Sequence, residues 1–189
     1  MTLFQPAVLV LCLGCTLFEG SMYLFVFLWA PVLQSVQSTP TELPYGHIFS
    51  SFMTAALAAS LAFNIFVTDR RLVRPSVLLI SLLAGSARCF IASANPHSEQ
   101  SAFWVFCLFE GAVGAYWPYM GYLEVRLIDD KTRTQVYAML RISLNVSVVV
   151  SLLLVTRRTG TFKMVFSVCG TLLLASSGAI WLALSATNI

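Results

Sequence analysis

Charge is what this sequence has least of. Only 10% of its 189 residues are Asp, Glu, Lys or Arg, whereas 58% are hydrophobic and the mean hydropathy is +0.84. A soluble domain carries about 25% charged residues, so this composition cannot supply a surface that water will hold. A soluble protein is excluded. The net charge of +3 is small and dispersed along the chain, which leaves no basic footprint for nucleic acid. The length suits one membrane domain of several helices rather than two independent modules.

Other absences narrow the chemistry. There is no Gly-rich phosphate loop, no metal-ligand cluster and no nucleophile constellation, so no catalytic residue, metal or cofactor is expected, and an enzyme is not expected. The five cysteines (Cys12, Cys15, Cys89, Cys107 and Cys169) all fall in apolar stretches, and their odd number argues against a disulfide framework. Cys12-x-x-Cys15 lacks both a second pair and a nearby histidine, so these two read as packing residues. The N-terminus has no basic region before its apolar run and that run is too long for a signal peptide, so it reads as the start of a membrane helix. Strict alternation of polar and apolar residues is missing too, which removes a β-barrel.

What remains is long apolar runs. A helix needs about 20 predominantly apolar residues to cross a bilayer. Six runs qualify, over 6–33, 46–67, 76–94, 102–123, 135–155 and 164–186, in a single membrane domain covering 1–189. Unpaired backbone groups are not tolerated in lipid, so each run is expected to be helical. The breaks after the second and fourth spans hold Arg70, Arg71, Arg74, Arg126, Lys131 and Arg133; the opposite breaks hold Arg157, Arg158 and Lys163. The positive-inside rule therefore places the first set, and both chain ends, in the cytoplasm.

The chain also repeats itself. Phe18-Glu19-Gly20 leads on to Tyr23, Trp29 and Pro31; Phe109-Glu110-Gly111 leads on to Tyr116, Trp117 and Pro118. The two triplets lie three spans apart, on helices that must cross in opposite directions. That is the pattern of a 3+3 inverted-topology repeat, as nested in each half of a major facilitator fold.

Four ionisable residues, Glu19, Arg88, Glu110 and Arg141, lie inside the expected spans. Insertion of an Asp, Lys or Arg at mid-helix costs about 2.5–3.5 kcal/mol, so four lipid-facing charges would cost on the order of 10 kcal/mol. They are expected to face one another or a wet cavity. Helical spacing adds Tyr23 on the face of Glu19, and Asn145 on the face of Arg141. A second polar seam, Ser143, Ser147 and Ser151, reads as interhelical glue. Trp29, Trp104 and Trp117 fall toward span ends, where aromatic belts form.

These residues carry a resemblance. "FEGSMYLFVFLWAPVL" followed by "GHIFSSFM" resembles the start of the C-terminal half of the molybdate-anion transporters, a branch of the major facilitator superfamily. The fourth span with Glu110, Gly114, Tyr116 and Pro118, the basic loop through Arg133, the Arg141–Asn145 stretch and "RTGTFKMVFSVCG" are similar as well. The family's Pro two residues after the Arg of the fifth span is Ser143 here. The resemblance implies a twelve-helix relative, a central pathway between two halves and uptake of molybdate.

The expected fold is thus all-α, six transmembrane helices forming half of a major facilitator fold in the cell membrane. The expected partners are the bilayer, a small anion such as molybdate, and a second six-helix half or a homodimer. Arg141 is the first candidate to attract the oxyanion, because a guanidinium forks two donors to paired oxygens; Arg88 is the second. Glu19 and Glu110 would hold those arginines or carry coupled protons. The competing reading is a non-transporting membrane scaffold whose charges only fix helix packing.

The topology is testable by labelling. A single cysteine placed at Thr41 should react with an impermeant reagent from outside intact cells, and one at Val73 should not. Labelling of Val73 from outside would reverse the orientation.

Overall fold

The computed structural model describes residues 6–38, 42–69, 75–127 and 161–186, with positions 142, 145, 146, 148, 149 and 153 between the last two stretches. Every regular element among them is helical. Helix α1 spans Pro6–Ser35, α2 Tyr45–Phe63 with a π-helical continuation Asn64–Asp69, α3 Pro75–Ala94, α4 Glu99–Leu127, and α5, over the sixth expected span, Thr161–Ala186.

The starts follow local chemistry. Pro6 and Pro75 open α1 and α3, where a missing N–H is one of the helix's orphan donors anyway. Ser98 caps α4 by a reciprocal bond: each of Ser98 and Ser101 donates its backbone N–H to the other's hydroxyl, at 3.1 and 3.2 Å. This is a capping box closed by Ser, and Glu99 in the first turn favours the helix dipole. Pro31 and Pro118 lie inside helices that run on past them, α1 to Ser35 and α4 to Leu127.

Among the described residues, four helices are long and apolar enough to cross a membrane: Leu13–Ser35, Tyr45–Val67, Val77–Ala94 and Phe162–Ala183. At 1.5 Å per residue their 18–23 residues reach about 27–35 Å, the thickness of a bilayer's hydrocarbon core. Helix α4, expected as a span over 102–123, is not among the four. Its length of 29 residues suffices, but Glu110, the glycines and the Tyr116-Trp117-Pro118-Tyr119 run dilute its hydropathy. Phe106, Phe109 and Val113 pack into the bundle, while Trp104, Leu108 and Trp117 are exposed.

Helix directions follow from paired contacts. Cys15 meets Met120, Glu19 meets Tyr116, and Phe25 meets Phe109 and Phe106, so α1 and α4 are antiparallel. Gly14 lies against Ile180, and Ser21 is within hydrogen-bond reach of Cys169, so α1 and α5 are antiparallel too. Phe52 packs on Phe103 and Phe106 while Ala56 meets Gly114, which makes α2 and α4 parallel. The most extensive pairings are α3 with α5 and α2 with α4.

An aromatic cluster joins all five helices. The ring of Phe25 (α1) lies 4.8 Å from Phe109 and 5.1 Å from Phe106 (α4); Phe90 (α3) lies 4.9 Å from Phe109 and 5.2 Å from Phe166 (α5). Phe52 brings in α2, 6.1 Å from Phe25. Two glycines permit the closest helix approaches. A Cβ on Gly114 would lie 2.0 Å from the Ala56 carbonyl oxygen, and one on Gly170 3.0 Å from that of Ala87. Cys15, Cys89, Cys107 and Cys169 lie in these helices without a disulfide among the described residues, and Cys15 fills a packed position and donates to the Met120 Sδ at 3.6 Å. The Cys12 side chain, Arg141 and the seam of Ser143, Ser147 and Ser151 lie outside the described residues.

The α2–α4 contact yields a stability test. Gly114→Ala forces two backbones apart and should destabilise the purified protein by about 1–3 kcal/mol, as overpacking does. Gly20→Ala enters open space, with nothing within 4 Å of the new Cβ, and should stay within about 0.5 kcal/mol of the parent. Thermal unfolding in detergent compares the two; equal melting temperatures would deny the contact.

Candidate functional site

The two Phe-Glu-Gly triplets meet at the seam between α1 and α4. Phe18 and Phe109 are fully buried, with ring centroids 6.1 Å apart. Phe18 also stacks, tilted, on Tyr116 at 4.4 Å. One residue further along α1, the Tyr116 hydroxyl donates to Oε1 of Glu19 at 2.9 Å. With Glu19 ionised such a bond is charge-assisted and among the stronger ones available to a side chain. One turn earlier, the Cys15–Met120 contact bolts the same two helices.

The two carboxylates have different surroundings. Glu19 is half-buried and tied to α4. Glu110 is only 6% exposed, and no hydrogen bond or ion pair reaches it from the other described residues. It sits one turn before Gly114, where the backbones of α4 and α2 touch. Neither carboxylate lies bare on the outer surface of the bundle, which is where the cost of insertion would be greatest.

The other expected members are not gathered here. Tyr23 is 44% exposed, and the phenol that Glu19 engages belongs to Tyr116. Four positions along a helix turn the side chain about 40° further round. Glu19 already lies at the edge of the buried face of α1, so Tyr23 falls outside it. Arg88 is exposed on α3. It precedes the helix end at Ala94 by six residues, about 9 Å, so its long side chain can lead its charge toward the interface. Asn145 is helical and exposed, and Arg141 lies outside the described residues, so their shared face has no structural description.

Tyr116 is the residue that spacing did not single out. It lies six positions after Glu110, on another face of α4, and only the packing of α1 against α4 reveals its partner. A sequence signal did exist, since Tyr116 stands within the repeated motif.

Among the described residues no group of three or more His, Cys, Asp or Glu could hold a metal ion. A cleft of about 500 Å³ opens at the end of the bundle where α1 stops and α4 begins. Ser38, Ser98, Glu99, Gln100 and Phe103 help to line it, and none of the expected site residues does.

Comparison with known proteins identifies relatives of the chain. A family described as sugar transporters with 12 transmembrane segments matches residues 4–108. The chain is similar to a molybdate-anion transporter of Xenopus tropicalis, 36% identical over 178 residues, which covers 88% of this chain and 38% of that protein. It is likewise similar to molybdate-anion transporters of Takifugu rubripes (34% identical over 143 residues, 72% of this chain and 28% of that protein) and Danio rerio (32% over 143 residues, with the same coverage). The chain thus spans well under half the length of these relatives. All are named as transporters, not enzymes. No solved structure matches the chain.

The contrast between the carboxylates predicts opposite effects of one substitution. Glu110→Met replaces a buried carboxyl that no other described residue partners by an apolar chain of similar length and should raise thermal stability. Glu19→Met deprives the buried Tyr116 hydroxyl of its acceptor and should lower stability by about 1–3 kcal/mol. Unfolding of both variants in detergent checks the pair; shifts of the same sign would contradict the description of one site.

Proposed function

Because the chain belongs to the molybdate-anion transporter family of the major facilitator superfamily, we propose that it is a six-helix half of a secondary transporter that takes up a small oxyanion, molybdate. The observation that carries the reading is the seam of α1 and α4. Two antiparallel helices there bring together like triplets, with one carboxylate hydrogen-bonded across the seam and the other buried close by. An inverted repeat would juxtapose its two copies in this way.

The six-helix count draws on direction. Helices α4 and α5 both run antiparallel to α1. A chain that leaves one and enters the other in the same sense crosses the bilayer an odd number of times in between. One crossing over 135–155 supplies the fifth helix, and the described positions from 142 to 153 are helical.

In this reading Arg141 attracts the oxyanion by its two-donor fork and Asn145 offers a neutral donor on the same face. Glu19 and Glu110 order the arginine or carry coupled protons. Arg88, at the rim, raises the local anion concentration, and Tyr23 lies on the open side of α1. The second half of the pathway comes from another six-helix unit or a second copy of the chain. Helix α2 suits that contact, since Phe49, Met53, Leu57, Leu61 and Ile65 line one exposed face at four-residue intervals. Only 11% of its spanning window is buried, against 39% in each of the other three spans. Both termini face the cytoplasm of the cell whose membrane holds the protein.

Flux measurements test the proposal. Vesicles holding the purified monomer should take up no molybdate, vesicles holding an enforced tandem dimer should take it up, and an Arg141→Lys dimer should lose most of that uptake, since Lys keeps the charge but not the fork. Robust uptake by the monomer would refute the half-transporter; unchanged uptake by the Lys dimer would remove Arg141 from the site.

A further inference from the structure

We infer that Tyr116 is the positioning residue for Glu19: its buried hydroxyl selects the conformation in which the carboxylate faces α4, and so ties the state of Glu19 to the helix that opens the second three-helix unit. This rests on the reading of Glu19 as part of a transport site, and it assigns a role to a residue that the reading leaves without one.

The two partners differ in freedom. The Tyr116 ring is 0% exposed and lies against Phe18, with centroids 4.4 Å apart. Trp117 flanks it at 5.8 Å. A ring packed this way has one rotamer open to it, so its hydroxyl is a fixed donor. Glu19 has three rotatable bonds and is half-buried, so its side chain has more freedom than the packed ring. The 2.9 Å hydrogen bond to Tyr116 favours the conformation in which the carboxylate faces α4. The Cys15–Met120 contact one turn away joins the same two helices.

Removing the hydroxyl alone separates positioning from packing. Tyr116→Phe keeps the ring and its contact with Phe18, so the protein should fold and express as the parent does. Infrared spectroscopy of the full chain, isotope-labelled at its glutamates, reads the Glu19 carboxyl band directly, and the difference against Glu19→Gln identifies it. In Tyr116→Phe that band should shift. In vesicles holding the tandem dimer, the half-saturating molybdate concentration should rise on the order of tenfold, the equivalent of one charge-assisted hydrogen bond, with little change in maximal flux. The double variant Tyr116→Phe/Glu19→Gln should behave like Glu19→Gln alone.

An unmoved carboxyl band would overturn the inference whatever the flux shows. Additive kinetic effects in the double variant would overturn it as well, because Tyr116 would then act by a route that bypasses Glu19. A shifted band in a protein without anion flux would keep the positioning bond and remove the transport reading instead.

Discussion

Lipid tails are as apolar as leucine, so burying an apolar side chain between two membrane helices gains little over leaving it in the bilayer. Association must come from close packing and from polar links, and this bundle's architecture follows from that constraint. Phenylalanines from five helices interlock, tilted or edge to face, around Phe25, Phe90 and Phe109. Aromatic rings in that geometry gain roughly 0.5–1.5 kcal/mol per pair beyond area burial, and this gain does not depend on expelling water. Glycine supplies the second means. Where Gly114 meets Ala56 and Gly170 meets Ala87, the backbones come close enough for dispersion to act along a full turn.

The same constraint explains how much of the fold could be read from the chain. A span must be apolar over a fixed length whatever it packs against, so hydropathy placed 76–94 and 164–186 on helices that run Pro75–Ala94 and Thr161–Ala186. The span over 46–67 corresponds to Tyr45–Phe63 and its π-helical extension. Rotation about the helix axis is another matter. Hydropathy is nearly the same all round a membrane helix, so nothing in the chain stated that Arg88 would point outward or that Tyr23 would turn away from Glu19. Helix α4 marks the border between these cases. It was legible as an element, but its polar and aromatic content, which weakens it as a spanning segment, suits it to the middle of the bundle.

The candidate site was half legible for a related reason. Repetition of Phe-Glu-Gly drew attention to Glu19 and Glu110 without any knowledge of packing. Their chemistry could not be told apart in one dimension, because both read as an acid in an apolar run. Three-dimensional context separates them: one carboxylate is held by a phenol from a helix 97 residues away in the chain, and the other is enclosed near the tightest helix crossing.

The hydroxyls of the buried serines carry a mechanical consequence. Ser21 donates to the carbonyl of Leu17, Ser93 to Cys89, Ser176 to Leu173 and Ser177 to Leu174, each within its own helix. A helix that shifts along its neighbour therefore takes these four acceptors with it, and the buried Ser86 hydroxyl, which has no partner among the described residues, has none to lose. Friction at these interfaces is steric, set by interlocked rings and close-fitting glycines. Against that background, the Tyr116–Glu19 bond behaves as a detent, a point of preferred alignment between α1 and α4 that must be released before either can slip past the other.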